Sequence, residues 1–493
     1  MKILHIYPEC PETFWSFKHA IRFISKKAVE PPLGLLTVAA MLPEEWEKKL
    51  VDMNISPLDD TNLEWADYVF ISAMSIQKES AKRVIARCKR LGVKMVAGGP
   101  LFTVEHEEFD DVDHLVLNEA EITLVPFLDD LRNGCAKHIY TSKEFPHMGR
   151  SPIPLWELLD MKKYATMDIQ YSRGCPFHCE FCNITTLYGH KIRTKSPVQL
   201  LDELEHLYTQ GWRGDVLFVD DNFIANRTKL KKDVLPAIIN WMRKKKHPFV
   251  FSTQASINLA DDEELMQLMA KAGFDSVFIG IETPDTKSLA ECGKIQNMNR
   301  DLVACVKRIQ KFGMQVKGGF IVGFDEDSSS IFKRQIEFIQ KSGIVNAMVG
   351  LLNAPRDTGL YRRLVKEKRL LKETSGDNTD FSTNFIPKMG YETLLKGYRE
   401  IIGGIYSHKP YYKRIRRLLR EYKPLQRKSF HFRFDHLGAF FKSIWFMGIK
   451  EKGRVYYWHL FFWAIFRNPR LFPTAITLTI TGYHFRKTFG RYT

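Results

Sequence analysis

The chain has 493 residues, of which 44% are hydrophobic and 26% charged, enough for two or three domains with sizeable cores. Its eight cysteines follow no regular spacing, so they exclude a disulfide framework and indicate metal or redox chemistry in a reducing compartment. Neither a signal peptide nor a membrane-spanning run of about 18 apolar residues is recognisable, and we expect a cytoplasmic protein.

The N-terminal zone, residues 1–150, alternates short apolar runs with helical segments. This pattern predicts an α/β domain with a parallel, doubly wound sheet, which binds ligands beyond the carboxyl ends of its strands. The predicted strands are Lys2–Tyr7, Lys49–Asp52, Asp67–Ser72 and Val93–Ala97, and the predicted helices are Leu33–Leu42 and Gln77–Leu91. The strand ends carry Pro8, Asn54, Ser72 and the pair Gly98 and Gly99, which would let the backbone approach a large ligand.

The middle zone, residues 151–373, contains six strand-like runs separated by helical stretches, which predicts a partial parallel barrel of six βα units. The predicted strands are Asp168–Ser172, Val216–Val219, Phe249–Thr253, Ser276–Glu282, Val316–Val322 and Val345–Leu351. The predicted helices are Val198–Gln210, Leu230–Lys245, Asp261–Ala272, Arg300–Phe312 and Ser329–Lys341. Asp261 and Ser329 are the expected caps of two of these helices.

Three cysteines follow the first barrel strand in the run Cys175-Pro-Phe-His-Cys179-Glu-Phe-Cys182. Three thiolates can hold three irons of a 4Fe–4S cluster and leave the fourth iron open, because full ligation takes four and the next cysteine is Cys292. Phe181 would lie against whatever binds the open iron. The alternative is a zinc site with His178 or His190 as a fourth ligand, although no second ligand pair stands out.

Polar residues and glycines mark the carboxyl ends of the later barrel strands, where α/β barrels place their active sites. They are Asp220, Asp221 and Asn222 after the second strand, Thr253 in the third, Glu282 in the fourth and Gly319 in the fifth. The alternative is that each of them merely ends a strand in solvent. As a set that follows the cysteine run, they are candidate functional residues.

The C-terminal zone, residues 374–493, differs in composition, and we expect a mainly helical domain that begins with a polar linker at Thr374–Thr383. From Lys409 to Lys428 there are nine Lys or Arg residues against one acid, Glu421, which indicates either a solvated helix face or a surface for anionic partners. Aromatic residues follow, and with the basic ones they can seat a helix at a membrane interface or form a core-facing stripe. They are Phe430, Phe432, Phe434, Phe440, Phe441, Trp445, Phe446, Tyr456, Tyr457, Trp458, Phe461, Phe462, Trp463 and Phe466.

The cysteine run, with an aromatic residue before its third cysteine, resembles the signature of the radical S-adenosylmethionine enzymes. In that family the open iron chelates S-adenosylmethionine. An electron from a donor such as flavodoxin or ferredoxin then yields a radical that abstracts hydrogen from an unactivated carbon. The resemblance implies S-adenosylmethionine contacts at Phe181, Asp220, Asp221, Asn222, Thr253, Glu282 and Gly319, where the glycine leaves room for the adenine.

The N-terminal zone resembles the cobalamin-binding domain that precedes the radical domain in one subgroup of this family. The resemblance lies in Pro31-Pro-Leu-Gly-Leu35, the Ser72 loop, Gly98-Gly-Pro100 and Asn118-Glu-Ala-Glu121. It implies cobalamin contacts at Pro32, Gly34, Asn54, Ser72, Gly98, Gly99 and Glu119. The D-x-H-x-x-G motif of mutase-type domains is replaced by Asp52-Met-Asn54-Ile-Ser-Pro57, which excludes imidazole ligation of cobalt from this loop. A Rossmann-like domain without cobalamin is the alternative.

Phe472-Pro-Thr-Ala-Ile-Thr-Leu-Thr and Gly482-Tyr-His-Phe-Arg486 resemble the tail of a branch that has a C-terminal domain of unassigned function and includes the hopanoid C-2 methylases. This resemblance implies a cobalamin-dependent C-methyltransferase with a hopanoid-like lipid or another small molecule as substrate. The aromatic and basic tail favours peripheral contact with the inner membrane, and no nucleic-acid partner is expected because no RNA-binding module is recognisable. The alternatives are a cobalamin radical cyclase or oxidoreductase, a scaffold without catalysis, and an RNA-binding or RNA-modifying protein that uses the net charge of +16.

Overall fold

The computed structural model describes residues 1–377, 379–423 and 434–490. The chain forms two compact units, each assembled from several stretches of sequence. The first unit comprises Met1–Pro11, Lys27–Pro176 and Asn183–Arg213, and the second comprises Glu12–Lys26, Phe177–Cys182 and Gly214–Thr493. No disulfide joins any of the eight cysteines, all of which lie in the described part of the chain. In the part of the chain that is described, no helix combines the length and the apolar character that crossing a bilayer requires.

The first unit contains a parallel sheet of six strands. The strands are β1 (Lys2–Tyr7), β2 (Glu47–Asp52), β3 (Tyr68–Ser72), β4 (Lys94–Gly98), β5 (His114–Val116) and β6 (Ile139–Tyr140). Their order is β2-β1-β3-β4-β5-β6, so the winding reverses between β1 and β3, and the carboxyl ends of those two strands define the crevice where such sheets bind ligands. The four predicted strands of this zone are confirmed, whereas β5 and β6, with three and two residues, were too short to predict.

Both faces of this sheet are buried. Leu4 and Ile6 pack into the core on one face, and Ile3 packs with Phe70 on the other, so successive residues of β1 are buried on both faces. The helices of this unit are Leu33–Met41, Asp60–Trp65, Lys78–Leu91, Pro100–Glu105, Ala120–Arg132, Ile184–Tyr188 and Pro197–Thr209.

The first predicted barrel strand is displaced. The structure places β7 at Thr166–Ile169, and a separate strand β8 (Ser172–Arg173) pairs antiparallel with β9 (Arg193–Thr194). The prediction of one strand over Asp168–Ser172 is therefore wrong at its carboxyl end. The residues immediately before the cysteine run belong to a short ribbon, because their hydrogen-bond partners lie about 20 residues later in the chain.

The second unit contains five parallel strands in the order β14-β13-β12-β11-β10, separated along the chain by helices. These strands are β10 (Gly214–Phe218), β11 (Phe249–Gln254), β12 (Phe274–Glu282), β13 (Gln315–Val322) and β14 (Ala347–Leu351), which confirms the predicted βα alternation. The helices here are Lys18–Ile21, Arg227–Lys229, Leu235–Lys244, Glu263–Ala272, Thr286–Glu291, Leu302–Lys311, Ile331–Ser342 and Gly359–Lys366.

Both predicted helix caps are wrong by one residue. Asp262, not Asp261, caps the helix Glu263–Ala272, and its side chain accepts a hydrogen bond from the Leu265 amide. The helix Ile331–Ser342 begins after Ser330, whose side chain makes no capping hydrogen bond. Adjacent residues of the same polar type cannot be told apart by a pattern that fixes a helix start only to within a turn.

The C-terminal region is helical, as predicted, and comprises Tyr391–Tyr406, His408–Glu421, Phe434–Ser443, Ile444–Lys450, Arg454–Arg467 and Phe472–Phe489. Its first long helix is tied to β14, because the Tyr398 and Tyr406 hydroxyls donate to the Val349 and Ala347 carbonyls at 2.8 and 2.6 Å. The expected linker is anchored too, since the buried Thr383 hydroxyl donates to the Leu352 carbonyl. Phe430, Phe432 and the end of the basic stretch lie outside the described residues, as does the side chain of Phe434.

Candidate functional site

Main-chain hydrogen bonds hold the second half of the cysteine run. The Cys182 amide donates to the Cys179 carbonyl at 3.1 Å, which forms a tight turn between these two cysteines. Between them, the Glu180 amide donates to the Cys292 carbonyl, and the Glu180 carbonyl accepts from the Leu360 amide, both at 2.9 Å. Residues distant in sequence therefore fix the path of this loop on both sides.

Cys175 follows a glycine that the loop requires. Gly174 has φ = 94°, and a Cβ atom at this position would lie 2.7 Å from the Lys191 carbonyl oxygen. The Cys175 amide donates to the Gly189 carbonyl at 3.2 Å. The backbone therefore turns sharply immediately before the first cysteine.

Two largely buried residues, Lys294 and Gln296, lie near the sulfurs of Cys179 and Cys182. Lys294 Nζ lies 2.7 Å from Glu282 Oε1, and Gln296 Nε2 lies 3.9 Å from Cys179 Sγ. Burial alone would lower the pKa of Lys294, but the charges of Glu282, Cys179 and Cys182 raise it, so the ammonium stays charged. Hydrogen-bond donors and positive charge around the sulfurs suit the thiolate ligands of an iron–sulfur cluster, and these residues therefore fit such a group.

Cys292 comes close to the cysteine run although 110 residues separate it from Cys182. Its Sγ donates to the Leu289 carbonyl at 3.6 Å, and burial raises the pKa of the Cys292 thiol to about 12. The Cys292 sulfur is thus engaged with the helix that precedes it. That three other cysteines, and not Cys292, ligate the cluster stays a prediction.

The predicted S-adenosylmethionine contacts all lie in the second unit. All of them except Phe181, in the cysteine loop, and Gly319, in the middle of β13, lie at or just beyond the carboxyl ends of strands. Asp220 and Asn222 are buried immediately after β10. Thr253 in β11 is buried as well, and its hydroxyl donates to the Phe218 carbonyl at 3.1 Å. Asn222 Oδ1 accepts from the Ser256 amide at 3.2 Å, so part of its hydrogen-bonding capacity holds the neighbouring loop. The partially buried Asp221 follows Asp220 in the same turn.

Glu282 occupies a strained position at the end of β12. Its φ is 61°, which is rare for a residue with a side chain, and the register with β13 shifts between Gly280 and Glu282. The bulge turns the carboxylate toward Lys294. Strain of this kind is concentrated at functional sites, which agrees with the predicted role of Glu282.

Phe181 and Gly319 have neighbours that the sequence did not suggest. The Phe181 ring packs against the apolar cluster around Cys292, Phe324 and Leu360, with its centroid 6.2 Å from that of Phe324. A Cβ atom at Gly319 would lie 2.7 Å from Cζ of Phe278. The glycine therefore accommodates the ring of the adjacent strand, which is a different reason for its presence than room for an adenine.

The predicted cobalamin contacts lie in the first unit, and Asn54 is held within the chain. Its amide N–H and its side-chain Nδ2 donate to Asp52 Oδ1 at 2.9 and 2.7 Å, and its Oδ1 accepts from the Cys10 amide at 2.8 Å. Tyr164 donates to the other carboxylate oxygen of Asp52 at 2.9 Å. Asn54 thus joins the loops that follow β1 and β2, and its side chain is engaged in hydrogen bonds within the chain.

The glycines at the end of β4 are required by packing. A Cβ atom at Gly98 would lie 2.6 Å from the Val116 carbonyl oxygen, and one at Gly99, where φ is 88°, would lie 2.5 Å from Ser72 Oγ. Gly34 differs, because a Cβ atom there would meet no described atom within 4 Å. Gly34 lies in the first turn of Leu33–Met41, after Pro32, and is exposed at the surface.

Glu119 is paired with two arginines. Its Oε2 lies 2.5 Å from Arg173 Nη1 and its Oε1 lies 2.8 Å from Arg193 Nη2, while Arg173 Nη2 lies 2.9 Å from Glu121 Oε1. The carboxylates are 4% and 3% exposed and the guanidiniums 12% and 10%. Burial opposes charge on Arg173, but Glu121 and Glu119 raise its pKa. We call these four residues the arginine–glutamate network.

Sequence reasoning missed Lys294, Gln296 and the arginine–glutamate network. Lys294 follows Gly293 shortly after a buried strand, but nothing local indicates that its ammonium faces a loop more than 100 residues earlier. Arg173 stands two residues before Cys175, and this proximity was the one signal available for it.

Three family models match consecutive parts of the chain. They are the B12 binding domain at residues 21–128, the Radical SAM superfamily at 169–339 and a domain of unknown function (DUF4070) at 358–492.

Curated relatives cover most of the chain. An uncharacterized methyltransferase of Synechocystis sp. is 40% identical over 490 residues, which span 98% of this chain and 91% of the relative. The hopanoid C-2 methylase of Rhodopseudomonas palustris is 32% identical over 418 residues, which span 84% of this chain and 78% of that methylase.

Solved structures share the fold. The cobalamin-dependent S-adenosylmethionine radical enzyme OxsB, solved with aqua-cobalamin and S-adenosylmethionine, matches with a TM-score of 0.63 at 14% identity, covering 100% of this chain and 80% of that one. The radical S-adenosylmethionine methyltransferase TsrM of Kitasatospora setae, solved with cobalamin and a 4Fe–4S cluster, matches with a TM-score of 0.59 at 14% identity. This match covers 76% of this chain and 79% of TsrM.

These matches identify the cofactors and set the zinc alternative aside. The chain belongs to the radical S-adenosylmethionine methyltransferases with a cobalamin-binding domain, in the branch that includes the hopanoid C-2 methylases, and its cofactors are a 4Fe–4S cluster, S-adenosylmethionine and cobalamin.

Proposed function

We propose that this enzyme transfers a methyl group to an unactivated carbon of a hopanoid-like lipid. The observation that carries the proposal is the 32% identity to a hopanoid C-2 methylase over 84% of the chain, which extends through all three matched regions. When bound, the cluster with S-adenosylmethionine supplies hydrogen abstraction and cobalamin supplies the methyl group, and the protein supplies orientation and exclusion of water.

We assign the cluster to Cys175, Cys179 and Cys182, with Lys294 supplying positive charge near the sulfurs and Gln296 a hydrogen bond to Cys179. S-adenosylmethionine is proposed to lie along the carboxyl ends of β10–β13. The residues proposed to meet it are Phe181, Asp220, Asp221, Asn222, Thr253, Glu282 and Gly319. The buried position of most of these side chains supports a site from which water is excluded.

Cobalamin is proposed to lie at the crevice between β1 and β3, beside Pro32, Gly34, Ser72, Gly98 and Gly99. Asn54 and Glu119 are proposed to shape that site through the contacts that they make within the chain. The reversal of strand order at this point supports the assignment. The three-part division into residues 1–150, 151–373 and 374–493 is proposed because three family models match successive regions of the chain.

The C-terminal helices carry features that support a lipid substrate and peripheral contact with the inner membrane. Phe441, Trp445 and Ile449, spaced four residues apart, are 61%, 50% and 49% exposed, and Phe462 and Phe466 are exposed on a later helix. Exposed cations accompany these apolar side chains, namely Lys450, Lys452, Arg454, Arg467 and Arg470. Apolar and cationic side chains on one surface are typical of a protein that contacts anionic lipid. We place the enzyme in the cytoplasm, where flavodoxin or ferredoxin would reduce the cluster, and we propose no nucleic-acid partner.

The test is anaerobic turnover of the reconstituted enzyme with a hopanoid and a reductant. Methyl transfer requires a product heavier by about 14 mass units, with 5′-deoxyadenosine and S-adenosylhomocysteine formed in equal amounts, because two molecules of S-adenosylmethionine are consumed. A control with Cys175→Ala should give no 5′-deoxyadenosine and no methylated product, while cobalamin binding stays intact.

A second candidate is a cyclase or oxidoreductase without methyl transfer. The anaerobic magnesium-protoporphyrin IX monomethyl ester cyclase of Synechocystis sp., 23% identical over 60% of the chain, favours it. This function predicts 5′-deoxyadenosine without S-adenosylhomocysteine and a product that gains no methyl mass.

A further inference from the structure

Glu180, one of the two residues between Cys179 and Cys182, is held by an arginine from the C-terminal half of the chain. Arg363 Nε lies 2.8 Å from Glu180 Oε1, and Arg363 Nη2 lies 2.9 Å from Glu180 Oε2. This is a two-point contact between a planar guanidinium and a carboxylate, the geometry that gives such pairs their directional strength. The two residues are separated by 183 positions in sequence.

The main chain and side chain of Glu180 are fixed by the same helix, Gly359–Lys366. The Leu360 amide donates to the Glu180 carbonyl at 2.9 Å, and a Cβ atom at Gly359 would lie 3.0 Å from Glu180 Cγ. The first turn of this helix therefore lies directly against the cysteine loop, and the absence of a side chain at Gly359 allows that approach.

Arg363 is itself oriented by further acids. Its Nη1 lies 2.8 Å from Asp325 Oδ2 and its Nη2 lies 3.2 Å from Glu291 Oε1. Arg369 pairs with the same Asp325 at 2.6 Å, so Asp325 connects the two arginines. Glu367 Oε1 also lies 3.8 Å from Nη1. A guanidinium surrounded by four carboxylates has little freedom to rotate, so it holds the Glu180 side chain in a defined position.

We propose that Arg363 is a positioning residue for the 4Fe–4S cluster, acting through Glu180 to fix the orientation of Cys179 and Cys182. Its helix begins the region, residues 358–492, that matches a domain of unknown function, so the inference gives the start of that domain a role at the radical site. The proposal rests on the cluster assignment and is independent of which carbon is methylated.

The test compares holoenzyme variants by iron release to a chelator and by the electron paramagnetic resonance spectrum of the reduced cluster with S-adenosylmethionine. Arg363→Lys keeps the charge but loses the two-point contact, and Glu180→Gln keeps the shape but loses the charge. We expect each to release iron about tenfold faster, with a broadened spectrum, as altered outer partners of metal ligands do. Arg362→Ala is the matched control, because Arg362 is adjacent on the same helix and its Nη1 donates to the Asp357 carbonyl instead.

The double variant Arg363→Lys with Glu180→Gln decides between positioning and general stability. If Arg363 acts through Glu180, the two changes are not additive, and the double variant should release iron about as fast as each single variant. Unchanged iron release and spectrum in Arg363→Lys and Glu180→Gln would overturn the proposal, as would fully additive effects of the two changes. Failure of the unaltered enzyme, with its cluster intact, to methylate a hopanoid would count against the proposed substrate and leave this inference standing.

Discussion

Replacing Glu119 tests whether this residue acts through the arginine–glutamate network or through cobalamin. Glu119→Ala leaves the buried guanidiniums of Arg173 and Arg193 with one carboxylate fewer. Removing one partner of a buried ion pair costs about 3–5 kcal/mol. Arg173 retains Glu121 as a partner. Arg193 retains the Pro146 and Tyr188 carbonyls at 3.0 and 2.9 Å, so we expect a cost at the lower end of this range. We expect the free energy of unfolding to fall by about 3 kcal/mol.

The assay is urea denaturation of the cobalamin-free protein, with Glu108→Ala as the matched control. Glu108 also pairs with two cations, Lys78 at 2.7 Å and Lys82 at 3.0 Å, but it lies at the surface. Its loss should therefore cost less than about 1 kcal/mol. Equal stabilities of the two variants, combined with loss of cobalamin from Glu119→Ala alone, would refute the reasoning and make Glu119 a cofactor contact.

Three further outcomes follow from the buried groups. Burial lowers the pKa of His5 to about 3 from 6.5, so unfolded chains take up a proton first as the pH falls. Protonation of His5 in the unfolded chain should therefore lower the free energy of unfolding by about 2 kcal/mol between pH 7 and pH 5. His5→Phe should abolish this contribution to the pH dependence of stability measured by urea denaturation. Lys294→Gln should lower the cluster reduction potential by tens of millivolts in a redox titration, unlike Lys287→Gln at the surface, because positive charge stabilises the reduced cluster. Cys292→Ala should leave the iron content per chain unchanged, and a loss of iron would make Cys292 a ligand.

The elements that could be predicted from sequence are those whose pattern is complete within a few residues. β1 and β13 are long runs of mostly buried residues, and this apolar pattern distinguishes them from the turns on either side. Their predicted bounds agree with the structure to within one residue. β8 could not be predicted, because its two residues are a strand only by virtue of pairing with Arg193 and Thr194. The short length of β5 and β6 gave no usable periodicity.

The candidate site divides in the same way. The three cysteines and Glu282 were visible because their residue types and spacing carry the chemistry. The partners that orient them were not, because Lys294 and Arg363 reach the cysteine loop by contacts that span more than 100 residues. Gly98 and Gly319 were visible as glycines, but the reason for them lies in the neighbouring strands, at Val116 and Phe278. A pattern shows that a side chain is missing and leaves unknown what fills the space.

The measurement that tests the account most directly is electron paramagnetic resonance of the anaerobically reduced protein before and after S-adenosylmethionine is added. A cluster held by three thiolates has one iron that the added sulfonium compound can bind, so its g values should shift on addition. A spectrum that stays unchanged, or a protein that retains zinc in place of iron, would contradict the account.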